Sequence, residues 1–495
     1  MYKPSDPQKS LFDAAGLLPP HKREECEKSW AGAFRRHALP ILRKVEDEFA
    51  DLFDPEEGRP NRPVPMVVGT LILKEMNDLT DDEALGALRF DVRWWYAFEA
   101  EPHEAVLCQK TLHNFRRRLL DHKDKEGKPD PQKKKLAFRR VTDELIQALG
   151  VDVGRQRLDS THIVSNIAIR NRLGLFVDVI RKFLGGVKSA DEKAYEGIPQ
   201  RLRGRYALEA RYEDVRKSEG TRRLGVAARD LWRLEGRFED HPVVSKREEF
   251  KLLKRLREEQ CEMTLEPEEP KEGDDDHGEG GACVEVKEAG NVESSSLQSA
   301  HDSDVTYSGK KGKGYELQVS ETCVKTNDVQ MITEVEITAS CASDQKATLP
   351  MVERLQEAGH KPEELVSDTA YSGGENAAAL AHRGVNLLAP ASPTGKPIPG
   401  KQYPAPAAEC PQEPEQAMEW LRQQEASPEF KSRYSIRSGI ESTNAELKGP
   451  HGMKKLRVRG KKRVKLSVYF KALACNVKRA LRAWLRREEA AAVPA

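Results

Sequence analysis

Apolar positions recur at helical spacing through the first 150 residues. Trp30, Phe34, Ala38, Ile41 and Leu42 predict helix over 21–56, and the prolines at 60, 63 and 65 interrupt it. A second helix follows over 66–77, and Thr80 caps a short one led by Asp81, Asp82 and Glu83. Trp94, Trp95, Tyr96 and Phe98 form an aromatic cluster of the kind that fills a core. The stretch TLHNFRRRLLDH (111–122) predicts a basic helix capped by Thr111, and 136–149 predicts another that ends at Gly150. A Lys/Asp/Pro-rich linker, 123–135, separates them. Residues 1–150 therefore read as an all-α N-terminal region.

Beyond residue 150 the period changes. A short strand through 157–158 places Asp159 at its end, where Ser160 and Thr161 begin a turn; Asp159 also reads as a cap of that turn. From 170 to 263 the chain is rich in Arg, Glu, Lys and Leu at helical spacing, a helical hairpin or a coiled-coil arm. Residues 264–300 read as a disordered acidic linker; its DDDHGE lacks the spacing of a calcium loop. Alternation returns in 314–324 and 330–338, a hairpin around TND. A helix over 346–358 follows, then a strand ending at Asp368, glycines 373 and 374, and a further helix. Residues 385–390 form another short strand, 390–414 a loop and 418–424 a helix. With the insertion removed, the order through 434–448 is β-β-β-α-β-α-β-α.

Composition narrows the class. Charged residues make up 33% of 495, mean hydropathy is −0.70, and no apolar run reaches the ~18 residues a membrane span needs. The first twenty residues lack a charged-then-apolar leader pattern. Eight cysteines are scattered without a C-x-x-C pair, which argues for thiols in a reducing compartment. Net charge is only +1, yet the distribution is polar: 264–288 carries ten acidic and two basic residues, whereas 431–487 carries eighteen Lys/Arg against Glu441 and Glu446. A basic end of that density attracts nucleic-acid phosphates, or forms a basic surface with no partner.

Chemistry concentrates in YSIRSGIESTNAELK, residues 434–448. On a helix, Tyr434, Arg437, Glu441 and Lys448 share an arc of roughly 60°, while Glu446 points elsewhere. A carboxylate flanked by two cations and a phenol suits a metal-bound phosphate; a solvated helix with an Arg437–Glu441 i,i+4 pair is the plainer alternative. The spacing Y-(2)-R-(3)-E-(6)-K resembles, residue for residue, the signature of bacterial insertion-sequence DDE transposases of the IS-four-like superfamily. LDST around Asp159, LVSDTAYSGGEN around Asp368 and the N-terminal helices resemble the same proteins. The layout is similar to the group with a long helical insertion after the first aspartate.

The resemblance implies an α/β fold: an RNase H-like mixed-sheet catalytic core (151–169 and 301–450) interrupted by a helical insertion (170–263) and the linker (264–300). An all-α N-terminal DNA-binding domain (1–150) and a basic C-terminal helix (451–495) flank it. Asp159, Asp368 and Glu441 would be the catalytic, metal-holding carboxylates. They would bind two Mg²⁺ ions, with Mn²⁺ as a substitute, because phosphodiester chemistry needs an activated nucleophile and relief of charge on the leaving oxygen. Tyr434, Arg437 and Lys448 would contact DNA near the cut. Arg116, Arg117, Lys454, Lys455, Arg457, Lys461 and Lys462 would bind flanking phosphates. Implied partners are double-stranded terminal inverted repeats and target DNA, held by a homodimer on paired ends in the bacterial cytoplasm at the nucleoid, with no membrane. The residues leave open a catalytically inactive DNA-binding relative and a structure-selective nuclease of the same fold. Two departures stand out. The insertion is unexplained by the catalytic plan, and 385–414 lacks the tryptophan that some relatives use to hold a flipped base, Trp420 falling further on.

Overall fold

The helix that the apolar spacing predicts over 21–56 is divided at Ser29, whose backbone is extended, into Pro20–Lys28 and a run from 30 to 44. The second run stays helical through Pro40, which lacks an N–H to donate, by a π-helical segment Phe34–Ala38 between Trp30–Ala33 and Leu39–Lys44, and a 3-10 segment Glu46–Leu52 follows. This computed structural model describes residues 1–5, 16, 18–124, 126–264, 283–391 and 396–492. Helix α1 (Val64–Met76) is buried along its whole length, as expected of an all-round apolar helix at the centre of a bundle. Helix α2 (Asp81–Phe90) opens on a reciprocal capping box between Thr80 and Glu83. Trp94, Tyr96 and Phe98 are buried core residues. Helix α3 (Gln109–Asp121) begins earlier than expected, so Thr111 lies inside its first turn and Cys108 takes the cap position. Helix α4 (Pro131–Leu149) ends at Gly150 with φ +64°, the left-handed position glycine adopts without strain.

A six-stranded mixed sheet forms the second layer. Strand β1 (Arg155–Ile163) is longer than the short strand expected, so Asp159 sits in its middle and not at its end. Two short strands, β2 (Cys261–Thr264) and β3 (Cys283–Val286), pair with each other elsewhere. The main sheet contains β4 (Thr306–Ser308), β5 (Gly312–Thr322), β6 (Ile332–Ala339), β7 (Glu364–Ser367) and β8 (Asn386–Leu388). Its path is β4-β5-β1-β7-β8, with β6 also paired to β5. Strands β5 and β6 form the expected antiparallel hairpin, β1 runs antiparallel to β5, and β7 and β8 run parallel to β1. Parallel neighbours need crossover connections. These are α8 (Thr348–Glu357) and α9 (Gly374–Ala381), followed by α10 (Pro414–Ala426).

Residues 172–260 fold around their own core instead of extending as an arm. Helices α5 (Arg172–Ala190), α6 (Lys217–Phe238) and α7 (Glu248–Gln260) enclose Phe183, which meets Phe238 edge-on at 5.5 Å and Phe250 at 6.0 Å. Of the expected linker 264–300, residues 265–282 lie outside the described residues, and 283–300 is ordered, which corrects that expectation. Val284 and Leu297 are buried in the helical core, and the Leu297 N–H donates to Glu259 Oε2 at 2.6 Å. The acidic composition upstream had masked the apolar alternation of this segment.

The segment 434–448 is not one helix. A turn Phe430–Tyr434 and a 3-10 turn Ser435–Ser438 precede α11 (Gly439–Lys448), so the single 100° wheel does not extend back to Tyr434. Finally α12 (Lys461–Ala492) threads between the N-terminal bundle and the sheet. Val464, Val468, Leu473, Val477 and Leu481 are buried in the same core as α1, α4 and β6. The first and last parts of the chain therefore share one hydrophobic core. Among the described residues no helix is long and apolar enough to cross a membrane.

Candidate active site

The β1–β7 register brings two aspartates side by side. The last parallel pair is Leu158 with Ser367, and the next residue on each chain is Asp159 and Asp368. Asp368 leaves the strand as the cap of a 3-10 turn, its Oδ1 accepting from Ala370 N–H at 2.8 Å. Helix α11 delivers the third carboxylate, Glu441, from its first turn.

Arg157 fixes where that helix starts. It shares a face of β1 with Asp159, two residues on, and donates from Nη1 to the Ile436 carbonyl at 2.6 Å. A Cβ on Gly439 would lie 2.0 Å from the same nitrogen, so only glycine permits this approach.

Arg437 then stands among the three acids. Its Nη2 is 3.4 Å from Asp159 Oδ1 and 3.5 Å from Asp368 Oδ2, and its Nη1 is 3.3 Å from Glu441 Oε1. The side chains open outward in that order, at 13%, 36% and 68% exposure. Burial raises the Asp159 carboxyl to about 6, against the opposing pull of Arg437. Asn444, one turn beyond Glu441, donates Nδ2–H to Asp159 Oδ2 at 3.1 Å. Asn444 went unmarked in the sequence, since neutral amides carry no charge pattern.

The donor set fits a hard divalent cation. All three groups offer carboxylate oxygens from different elements, as Mg²⁺ prefers. The three Arg437 contacts are long, none is a two-bond fork, and its buried Nε has no hydrogen-bond partner. A single guanidinium is thus an imperfect counter-ion for this cluster.

Of the remaining expected residues, Tyr434 stacks flat on Phe430, with centroids 5.2 Å and planes 11° apart. Burial raises its phenol, and Arg437, Asp368 and Asp159 are among its charged neighbours. Lys448 is half-buried at the far end of α11, where burial lowers its ammonium. Lys454 and Lys455 are exposed on a stretch that extends β1: Val164 N–H donates to Lys454 O at 3.2 Å and Leu456 N–H to Val164 O at 2.8 Å. Arg116, Arg117, Arg457 and Lys462 line one cleft of about 620 Å³ between α3 and α12, together with Arg463 and Lys471. Within it Arg116 grips Asp81, and Arg457 donates to Asp78 Oδ1 at 2.6 Å. Arg117 and Lys462 are exposed. Lys461 opens α12 beside this cleft.

A transposase DDE domain family model matches residues 407–481, covering α11 with Glu441 and much of α12. A transposase domain model (DUF772) matches residues 32–118, in the N-terminal bundle. No curated protein and no solved structure matches the chain. The two matches, at opposite ends of the chain, support an insertion-sequence transposase, which implies DNA as its partner and a nuclease or transferase as its chemistry.

Proposed function

We propose that this chain is a cut-and-paste DDE transposase: it cleaves phosphodiester bonds at its element's terminal repeats and transfers the freed 3′-OH into target DNA. The reading rests on one observation, the meeting of Asp159, Asp368 and Glu441 around Arg437. The strand order, with an antiparallel hairpin on one side of β1 and two parallel strands on the other, supports an RNase H-like core, and residues 172–260 its helical insertion.

The three carboxylates would hold the metal. Two Mg²⁺ ions bound there, or Mn²⁺ in their place, would activate the attacking oxygen and stabilise the leaving one. Asn444 keeps Asp159 facing the other two acids. Arg437, displaced from the carboxylates, neutralises the scissile phosphate, and Lys448 extends positive charge along the DNA. Tyr434, packed on Phe430, forms a fixed wall beside the cut. The cleft of Arg117 and Lys462, with Lys454, Lys455 and Lys461, grips flanking phosphates. Two copies act on paired ends.

The test uses a pre-cleaved terminal repeat and a target plasmid. Strand transfer dependent on Mg²⁺ or Mn²⁺ is expected, and Asp368→Asn should retain DNA binding while cleavage and joining fall by orders of magnitude. Cleavage without joining would reduce the protein to a nuclease. Undiminished cutting by Asp368→Asn would remove Asp368 from the site.

A further inference from the structure

After α11 the chain turns at 449–453 before entering the stretch that leads to α12. Gly452 makes this turn possible: its φ is +60°, and a Cβ there would lie 2.3 Å from the Asp78 carboxylate. The turn carries His451 inward to meet Glu446 from α11 and Cys475 from α12. One potential ligand atom from each lies within 4.8 Å of the other two. This cluster is separate from the Asp159 site, because Glu446 and Glu441 occupy different faces of α11.

His451 points to a ligand by its own hydrogen bonding. The residue is 0% exposed. Its Nδ1 lies 3.1 Å from the Glu75 carbonyl oxygen, and a carbonyl only accepts, so Nδ1 carries the proton. Nε2 is then a bare lone pair, and it is buried with no hydrogen-bond partner. An unsatisfied buried acceptor is costly. The same arrangement is standard for a metal-binding histidine: one nitrogen is anchored to a carbonyl and the other is left free for the ion.

The neighbours supply the remaining donors. Cys475 is 0% exposed, and its Sγ lies within 4.8 Å of a Glu446 carboxylate oxygen. Of the two Glu446 oxygens Arg479 contacts Oε2, at 2.9 and 3.0 Å, which leaves Oε1 available. Sulfur, imidazole nitrogen and one carboxylate oxygen form the mixed set that favours Zn²⁺ over Mg²⁺.

We propose that Glu446, His451 and Cys475 form a Zn²⁺ site that clamps the 449–453 turn and locks α11 against α12. Loading releases the Cys475 thiol proton to solvent and leaves a thiolate ligand. Because α11 also carries Glu441 and Asn444, the clamp fixes the helix that completes the carboxylate cluster.

The experiment titrates the chelator-stripped full chain with Co²⁺, followed by absorption, and then adds Zn²⁺. One equivalent should bind with a sulfur-to-cobalt charge-transfer band, and Zn²⁺ should bleach it whereas Mg²⁺ should not. The carboxylate site holds no sulfur, so the band reads this site alone and is independent of transposase activity. Cys475→Ala, a small substitution in a buried position, and His451→Asn should each abolish the band, while Cys108→Ser at an exposed thiol should keep it. Circular dichroism identifies which variant is folded, and one folded variant suffices. Absence of the band in the wild-type chain, or its survival in folded Cys475→Ala, overturns the proposal.

Discussion

Asn444 and Asp159, 285 residues apart in the chain, are joined by a hydrogen bond of 3.1 Å from Nδ2 to Oδ2. The bond ties the second turn of α11 to the centre of the sheet and holds the most buried carboxylate of the cluster in one rotamer. Groups that orient metal ligands typically cost about 10–100-fold in affinity or activity when removed. Asn444→Ala should lower cleavage by that factor and raise the Mg²⁺ concentration needed for half-maximal rate, with the melting temperature little changed. An unchanged metal requirement would separate Asn444 from the site.

Arg437 is the cation shared by all three acids, so removing it acts on the metal-free protein first. Arg437→Ala leaves Asp159, Asp368 and Glu441 facing one another without a counter-charge, and like charges at short range repel. Metal-free Arg437→Ala should therefore melt below the wild type. Added Mg²⁺ should raise its melting temperature more than that of the wild type, and at a hundredfold excess over the variant's own Kd the total linkage is about 2.7 kcal/mol. Strand transfer should still be lost, since the phosphate loses its guanidinium. Calorimetry with and without Mg²⁺ checks both halves; an equal metal response in the two proteins would mean that Arg437 is no counter-ion.

Much of this site could be read from spacing, and the missing parts have physical causes. Acidic residues at strand ends and on a helix flanked by Arg and Lys stand out because charge is rare inside a fold, and Asp159, Asp368 and Glu441 do meet at one guanidinium. Register was not legible. Nothing in LDST says that β1 continues four residues past Asp159, because the polar His162 meets Lys313 and Glu316 of β5, partners distant in sequence. The tight turn at Ser435–Ser438 escaped the helical wheel for a similar reason: the Ile436 carbonyl accepts both the i→i+3 bond from Gly439 N–H and a bond from Arg157, a partner distant in sequence. The apolar stripe of α12 is legible from its spacing: Val464, Val468, Leu473, Val477 and Leu481 read as core-facing beneath the basic residues, and all five are buried in the main core. Local sequence shows which face is apolar but not how deeply the helix is set.

Glu321 is a second feature hidden from the sequence. It is 0% exposed and receives Arg157 Nε at 2.8 Å, Arg479 Nη1 at 3.0 Å and the Thr443 hydroxyl at 2.7 Å. One carboxylate thereby joins β5, β1, α11 and α12 behind the candidate site. Removing one partner of a buried pair typically costs about 3–5 kcal/mol, because the other charge is left uncompensated. Glu321→Ala leaves Arg157 in that state, whereas Arg479 keeps Glu446, and should lower stability by about this amount in urea titrations. A loss below about 1 kcal/mol, the range of exposed pairs, would show that the network contributes little.

The basic cleft between α3 and α12 separates two neighbouring arginines by role. Arg116 is engaged with Asp81, donating from Nη1 at 2.9 Å, so it holds α3 to α2. Arg117 is exposed and lines the same cleft beside Lys462. Each phosphate contact contributes roughly 0.9 to the slope of log K against log salt on duplex DNA. Arg117→Ala should therefore reduce that slope by about 1, with the melting temperature unchanged and the loss similar for terminal-repeat and unrelated sequences. Arg116→Ala should lower the melting temperature as well, because Asp81 and Lys74, 3.6 Å apart, lose their third partner. Salt titrations by fluorescence anisotropy alongside thermal melts distinguish the two, and an Arg117→Ala protein with the wild-type slope would place the DNA on another face.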